Sequence, residues 1–129
     1  MIIMRALDTN LLVRLIQRDD ASQFALAKNF AADGAWASHL VVAEAIWVLE
    51  SVYGFDRSRV VKAVGMMLNH QSLVFQDPDT VAAALDHYRS PPFPEFSDCL
   101  ILEVARKNGN LPIGTFDRRF SRLPGVQRV

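Results

Sequence analysis

Ile2-Ile3-Met4-Arg5-Ala6-Leu7-Asp8-Thr9-Asn10, followed by Leu11-Leu12-Val13-Arg14-Leu15-Ile16, is the stretch whose reading decides the fold. A short apolar run ends on a carboxylate and a polar pair. Apolar residues at helical spacing (Leu11, Leu12, Leu15, Ile16) then begin at once. A buried strand over residues 2–7 feeding a helix from Asn10 to Arg18 is the opening of an α/β architecture. The carboxyl ends of parallel strands are where such sheets keep their ligands. A carboxylate among buried side chains is costly unless it is paired or coordinates a metal, so Asp8 is the first candidate for chemistry.

The same grammar repeats along the chain. Asp20-Ala21-Ser22 caps a second helix with Phe24, Ala27, Phe30 and Ala31 on one face, and Gly34 stops it. Ala35-Trp36-Ala37 reads as a strand, and Ser38 as the N-cap of a helix over 39–53 that ends at Gly54. Asp56 or Ser58 opens a helix to about Asn69, Leu73-Val74-Phe75 is a strand, and Asp79 to Arg89 is helical. Pro91-Pro92-Phe93-Pro94 forces an irregular loop before a helix over 97–108, which Arg106-Lys107 and Gly109 close. Leu111 to Gly114 and Val126 to Val129 read as further strands. Apolar strands without clean alternation, separated by one or two helices, predict an α/β fold with a parallel sheet covered on both faces.

The 129 residues suffice for one domain, 1–129, with a real core. The balance of 50% apolar to 22% charged residues excludes a disordered chain. A single cysteine, Cys99, excludes an internal disulfide and a thiolate zinc cluster and suits a reducing cytosol. Arg5 comes too early for a signal peptide's apolar core, and no window approaches a membrane span, so the expected location is cytoplasmic. Net charge is zero but unevenly spread. Residues 106–129 carry six basic residues against Asp117 alone, which leaves eight basic and thirteen acidic residues in 1–105. Arginine outnumbers lysine 11 to 3, and its guanidinium fork holds phosphate bidentately. A basic segment beside acidic residues suits a site that holds metal and attracts phosphates, and equally a solvated arginine-rich surface.

Three more carboxylates stand where apolar segments begin or end: Glu44 inside Leu40-Val41-Val42-Ala43-Glu44-Ala45-Ile46, Asp98 before Cys99-Leu100-Ile101-Leu102, and Asp117 after Ile113-Gly114-Thr115-Phe116. Each has a structural alternative. Asp8 reads equally as an N-cap, Asp98 as a complement to its helix's macrodipole, and Asp117 as a turn residue or cap. Glu44 lies six residues beyond Ser38, too deep for a capping box, so its alternative is a buried salt bridge. His39, His70 and His87 lack ligand spacing, Ser51 and Ser72 lack a nucleophile motif, and Cys99 reads as a small buried hydrophobe.

Leu7-Asp8-Thr9-Asn10, Ser38 with Val42-Ala43-Glu44, Phe96-Ser97-Asp98 and Thr115-Phe116-Asp117-Arg118-Arg119-Phe120 resemble, in that order, the motifs of PIN-domain ribonucleases. Length and element order resemble the VapC-type toxin of a VapBC toxin–antitoxin pair. The resemblance covers nearly the whole chain, with no motif in 55–90 and with Cys99 where alanine is common. It implies a PIN-like α/β/α sandwich with a central parallel sheet of four to five strands. It also implies a Mg²⁺- or Mn²⁺-dependent endoribonuclease, a homodimer silenced by a VapB-type antitoxin.

If the four carboxylates converge, two of them 4 Å apart repel by about 4 kcal/mol at an effective dielectric near 20. Either a divalent cation or a raised pKa must relieve that. Oxygen-only ligands favour Mg²⁺ or Mn²⁺. On this reading Asp8 and Asp98 are the main ligands, and Glu44 and Asp117 bind a second metal or hold waters. Asn10 and Thr115 orient the carboxylates or the phosphate, and Arg118, Arg119 and Arg122 meet the RNA backbone. Leu11, Leu12, Leu15 and Ile16, with Ile46, Trp47, Val48, Leu49 and Val52, then supply either an apolar groove for an antitoxin helix or ordinary core and dimer surface. Two other classes compete. A Mg²⁺-dependent phosphatase with Asp8 as nucleophile would want an acid where Asn10 stands. A non-catalytic RNA- or protein-binding module would be expected to lose some of the acids.

Overall fold

A helix leaves its first N–H groups without backbone partners, and this chain answers with side-chain caps. A computed structural model describes residues 3–129, so the expected strand residue Ile2 lies outside the described residues. Asp8 opens α1 (Thr9–Ile16) by accepting from the Leu11 N–H at 2.9 Å. Asp20 opens α2 (Ala21–Ala31) at 3.0 Å from the Gln23 N–H. Ser38 opens α3 (His39–Ser51), and Asp56, rather than Ser58, opens α4 (Arg57–Leu68). Gly54 follows α3 at φ +69°, a conformation that side-chain-bearing residues rarely adopt.

The chain divides into two compact units, 1–78 and 79–129. In the first, β1 (Arg5–Ala6), β2 (Ala35–Ala37) and β3 (Leu73–Phe75) form a parallel sheet in the order β1-β2-β3. Arg5 pairs with Ala35, and Ala35 with Leu73. Leu12 of α1, Val42 and Ile46 of α3, Val64 of α4 and Phe75 of β3 line one small gap, so four elements meet in this core. Arg14 ties α1 to the chain beyond α3, donating to the Tyr53 hydroxyl at 2.9 Å.

The second unit holds nearly all of α5 (Pro78–Tyr88), with α6 (Phe96–Lys107), β4 (Ile113–Thr115), a 3₁₀ turn over Phe120–Arg122 and β5 (Val126–Arg128). Here β4 and β5 pair in parallel, Ile113 opposite Val126. Leu102, Phe120 and Leu123 are buried together, with Ile113 and Val126 packed against them. Tyr88 and Phe96 meet edge to face, centroids 6.0 Å apart.

The fold is therefore mixed α/β with parallel strands and flanking helices, and every expected strand and helix is present. Two expectations need correcting. The strands form a sheet of three and a sheet of two, not one sheet of four to five. The opening strand is not buried: β1 has two residues, both exposed, with a partner on one side only, and burial begins at Leu7. The expected spare apolar surface is also smaller, because Leu12, Leu15, Ile46 and Leu49 belong to the core. Trp47 and Val52 remain exposed.

These assignments carry unequal energies. Leu102→Ala, which empties a fully buried position, should cost about 3 kcal/mol. Asp56→Ala, which removes only a cap, should cost about 1 kcal/mol. Urea unfolding monitored by circular dichroism checks the order.

Candidate acidic site

Asp8 and Ser38 each lie two residues beyond a register pair, Ala6 with Trp36, so both stand at the carboxyl edge of the parallel sheet. The capping alternative for Asp8 is what its Oδ1 does. Its other oxygen has no protein partner among the described residues. The Thr9 hydroxyl, at the first position of α1, donates to Glu44 Oε2 on α3 at 2.8 Å. Glu44 is exposed and makes no ion pair among the described residues, which corrects both the expectation of burial and the salt-bridge alternative. Asp8 and Glu44 are thus held by bonds that each use one oxygen and leave the other as an acceptor. Asn10 is exposed, without a hydrogen-bond partner among the described residues.

In the second unit, Asp98 occupies the first turn of α6 and is half-buried. Its carboxyl group makes no hydrogen bond among the described residues. Its carboxyl pKa is raised above the ordinary 3.8, first by burial, then by the charge of Asp117, then by that of Glu95. Asp117 is exposed and fixed from two sides. Its N–H donates to the Thr115 hydroxyl at 3.0 Å, and its Oδ1 accepts from the Phe120 N–H at 3.0 Å, so it also caps the 3₁₀ turn. Thr115 therefore fixes the backbone of Asp117. Glu95, Asp98, Asp117, Arg118 and Arg119 line one cavity of about 270 Å³. Arg122, in the 3₁₀ turn, is exposed and does not line it.

Glu95 is the participant that sequence reasoning missed. It precedes α6 without capping it, and its spacing of three from Asp98 sets both on one side of the helix start. The signal for it in the sequence is the three-residue spacing in Glu95-Phe96-Ser97-Asp98.

Neither unit, among the described residues, gathers three His, Cys, Asp or Glu side chains as a ready chelating group. Within the second unit, the donors Glu95, Asp98 and Asp117 nonetheless fit a hard divalent cation. They are oxygen-only, the Asp98 carboxylate has no hydrogen-bond partner among the described residues, and their mutual repulsion is of the sign a cation removes. Mg²⁺, which keeps several waters and needs only one or two carboxylates, suits an open pair such as Asp98 and Asp117 better than a closed cage does. The guanidinium groups of Arg118 and Arg119 on the same cavity add phosphate-binding capacity.

A family model described as PIN domain matches residues 5–126, across both units. No curated protein and no solved structure matches the chain.

Asp98 has a raised folded-state pKa, so its charged form opposes folding. That penalty is absent below about 3.8, where both states are protonated, and is complete once pH exceeds the folded value. Asp98→Asn should therefore raise the Tm of the metal-free protein at pH 7, with the gain shrinking as pH falls toward 3.8. Added Mn²⁺ should raise the Tm of the wild type more than that of the variant. Thermal melts across pH, with and without Mn²⁺, test both statements.

Proposed function

The chain belongs to the PIN-domain family, whose members are typically metal-dependent nucleases, and from that premise we propose that it is a Mg²⁺- or Mn²⁺-dependent endoribonuclease. We propose further that it is the toxin of a VapBC-type pair, acting as a homodimer and silenced by a VapB-type antitoxin. The observation that carries the nuclease reading is the cavity in which Asp98 is crowded by Asp117 and Glu95 while Arg118 and Arg119 share its lining. Carboxylates that favour a divalent cation, beside guanidinium groups that favour a phosphate, match the two halves of phosphodiester hydrolysis. A binding module without catalysis has no use for acids that repel one another.

On this reading Asp98 and Asp117 hold the cation, with Asp8 and Glu44 as the further metal-binding and catalytic acids. When bound, the cation supplies a Lewis acid for the phosphodiester and an acidified water. The chain's own residues do the rest. Thr9 holds Glu44 by one oxygen, which leaves the second to accept a proton or to position a water. The Phe120 N–H holds one carboxylate oxygen of Asp117, and the Thr115 hydroxyl accepts from the Asp117 backbone N–H. Arg118 and Arg119 bind backbone phosphates, which places RNA without reading its sequence. Trp47 and Val52, exposed on and just beyond α3, offer apolar surface to an antitoxin or a second copy.

Asp8→Asn and Asp98→Asn should each lower Mg²⁺-dependent RNA cleavage by more than the roughly 100-fold typical of merely orienting groups, and Thr9→Val by about 10-fold. Full activity in either aspartate variant, or wild-type cleavage unaffected by EDTA, would sink the metal-nuclease reading. Cleavage that persists at full rate in complex with the co-expressed neighbouring small protein would remove the toxin assignment alone.

In a separate measurement, Arg118→Ala and Arg119→Ala should each flatten the salt dependence of single-stranded RNA binding. The slope of log Kobs against log salt should fall by about 0.7 per residue. An unchanged slope would place these arginines away from the phosphates.

A further inference from the structure

A second cavity, of about 430 Å³, lies wholly within the first unit and is lined by α1, α2, α4 and the start of β3. It stands apart from Asp8. Ser72 and Leu73 on its wall open β3, so it sits at the amino edge of the sheet, and Leu15 comes from the last turn of α1 while Asp8 caps the first. A helix of eight residues separates those ends by about 12 Å. The volume falls in the range of small-molecule sites, about 300–1,000 Å³.

Its chemistry is two-sided. Leu15, Phe24, Met67 and Leu73 supply apolar wall, whereas the polar contributions of Arg18, Lys28 and His70 are all hydrogen-bond donors. The Ser72 N–H donates to His70 Nδ1 at 3.1 Å, which puts the ring proton on Nε2 when the imidazole is neutral. Arg18 lies over the Phe24 ring, 4.5 Å from its centroid, and that stacking holds the guanidinium beside the cavity. Neither Arg18 nor Lys28 has an acidic partner among the described residues, and no acid lines the cavity. The carbonyl ends of α1, α2 and α4 reach the same edge, each worth roughly half a negative charge. Arg18 and Lys28 offset these with little to spare, so the remaining field favours one negative charge over two.

We propose that this cavity binds a small amphipathic monoanion, an apolar body carrying a single carboxylate. The body replaces water against Leu15, Met67 and Leu73, and the carboxylate takes the donors of Arg18, Lys28 and His70. The site is independent of the acidic residues and of the nuclease reading.

The test is calorimetric titration of the 129-residue chain with decanoate below its micelle concentration. Saturable one-to-one binding with a rise in Tm is expected, and Asp8→Asn should bind decanoate as the wild type does. Lys28→Glu should weaken binding by about fivefold or more, and Lys28→Gln by less, with folding confirmed by circular dichroism. Ala32→Trp, at an exposed lining position, should fill the cavity and abolish binding. Decyltrimethylammonium, with the same chain and opposite charge, and acetate, with the charge and no chain, should not bind. Absence of saturable decanoate binding, equal binding of decyltrimethylammonium, or an affinity indifferent to Lys28→Glu and Ala32→Trp would overturn the proposal.

Discussion

The unsatisfied N–H groups at the start of a helix are the constraint on which much of this molecule turns. The chain meets them with short oxygen-bearing side chains placed where each helix begins, and two of these helices follow directly from parallel strands. Asp8 and Ser38 are therefore set at the carboxyl edge of the sheet by the same bonds that start α1 and α3. Asp117 does the equivalent for the 3₁₀ turn after β4. A carboxylate that caps with one oxygen is immobilised at little entropic cost, and its second oxygen is left for chemistry. The capping reading of Asp8 and Asp117 and the role proposed for them are thus compatible: each caps with one oxygen and keeps the other as an acceptor.

Repulsion is the complementary force. Asp98 has no hydrogen-bond donor among the described residues, is half-buried, and faces the charges of Asp117 and Glu95. A protein selected for stability alone would relieve this with a neutral residue, because an unpaired, partly desolvated carboxylate opposes folding. Perturbed carboxylates of this kind cluster at functional sites. Glu103 shows the contrast within the same helix. It is met by His87 at 3.0 Å and by Arg106 at 3.1 Å, a charge fully answered by the protein itself.

The sheet of the first unit separates two chemistries by its direction. Acids and hydroxyls gather at the carboxyl edge, where Asp8, Thr9, Ser38 and Glu44 stand. Basic donors gather at the amino edge, where Arg18, Lys28 and His70 surround an apolar cavity. Parallel strands make this possible, since every strand end of one kind lies on one edge and the helices return each chain segment to the other.

The elements were legible in the sequence because their signals are local. Helical spacing of apolar residues, caps at Asp8, Asp20, Ser38 and Asp56, and stops at Gly34, Gly54 and Gly109 act within a few residues, and the structure follows them closely. The acidic motifs were legible for the same reason, as carboxylates at the joints between apolar runs. What tertiary structure alone decided depends on which segments meet. Whether five strands make one sheet or two is a matter of hydrogen bonds between distant segments, which periodicity does not encode. The burial of Leu12, Leu15, Ile46 and Leu49, and the exposure of Glu44 from inside an apolar run, depend on what α1 and α3 pack against. Glu95 became a neighbour of Asp117 only when β4 and its turn returned to the start of α6. The cavity beside Arg18 and Lys28 is likewise made by three helix ends and a strand, none of which carries a motif for it.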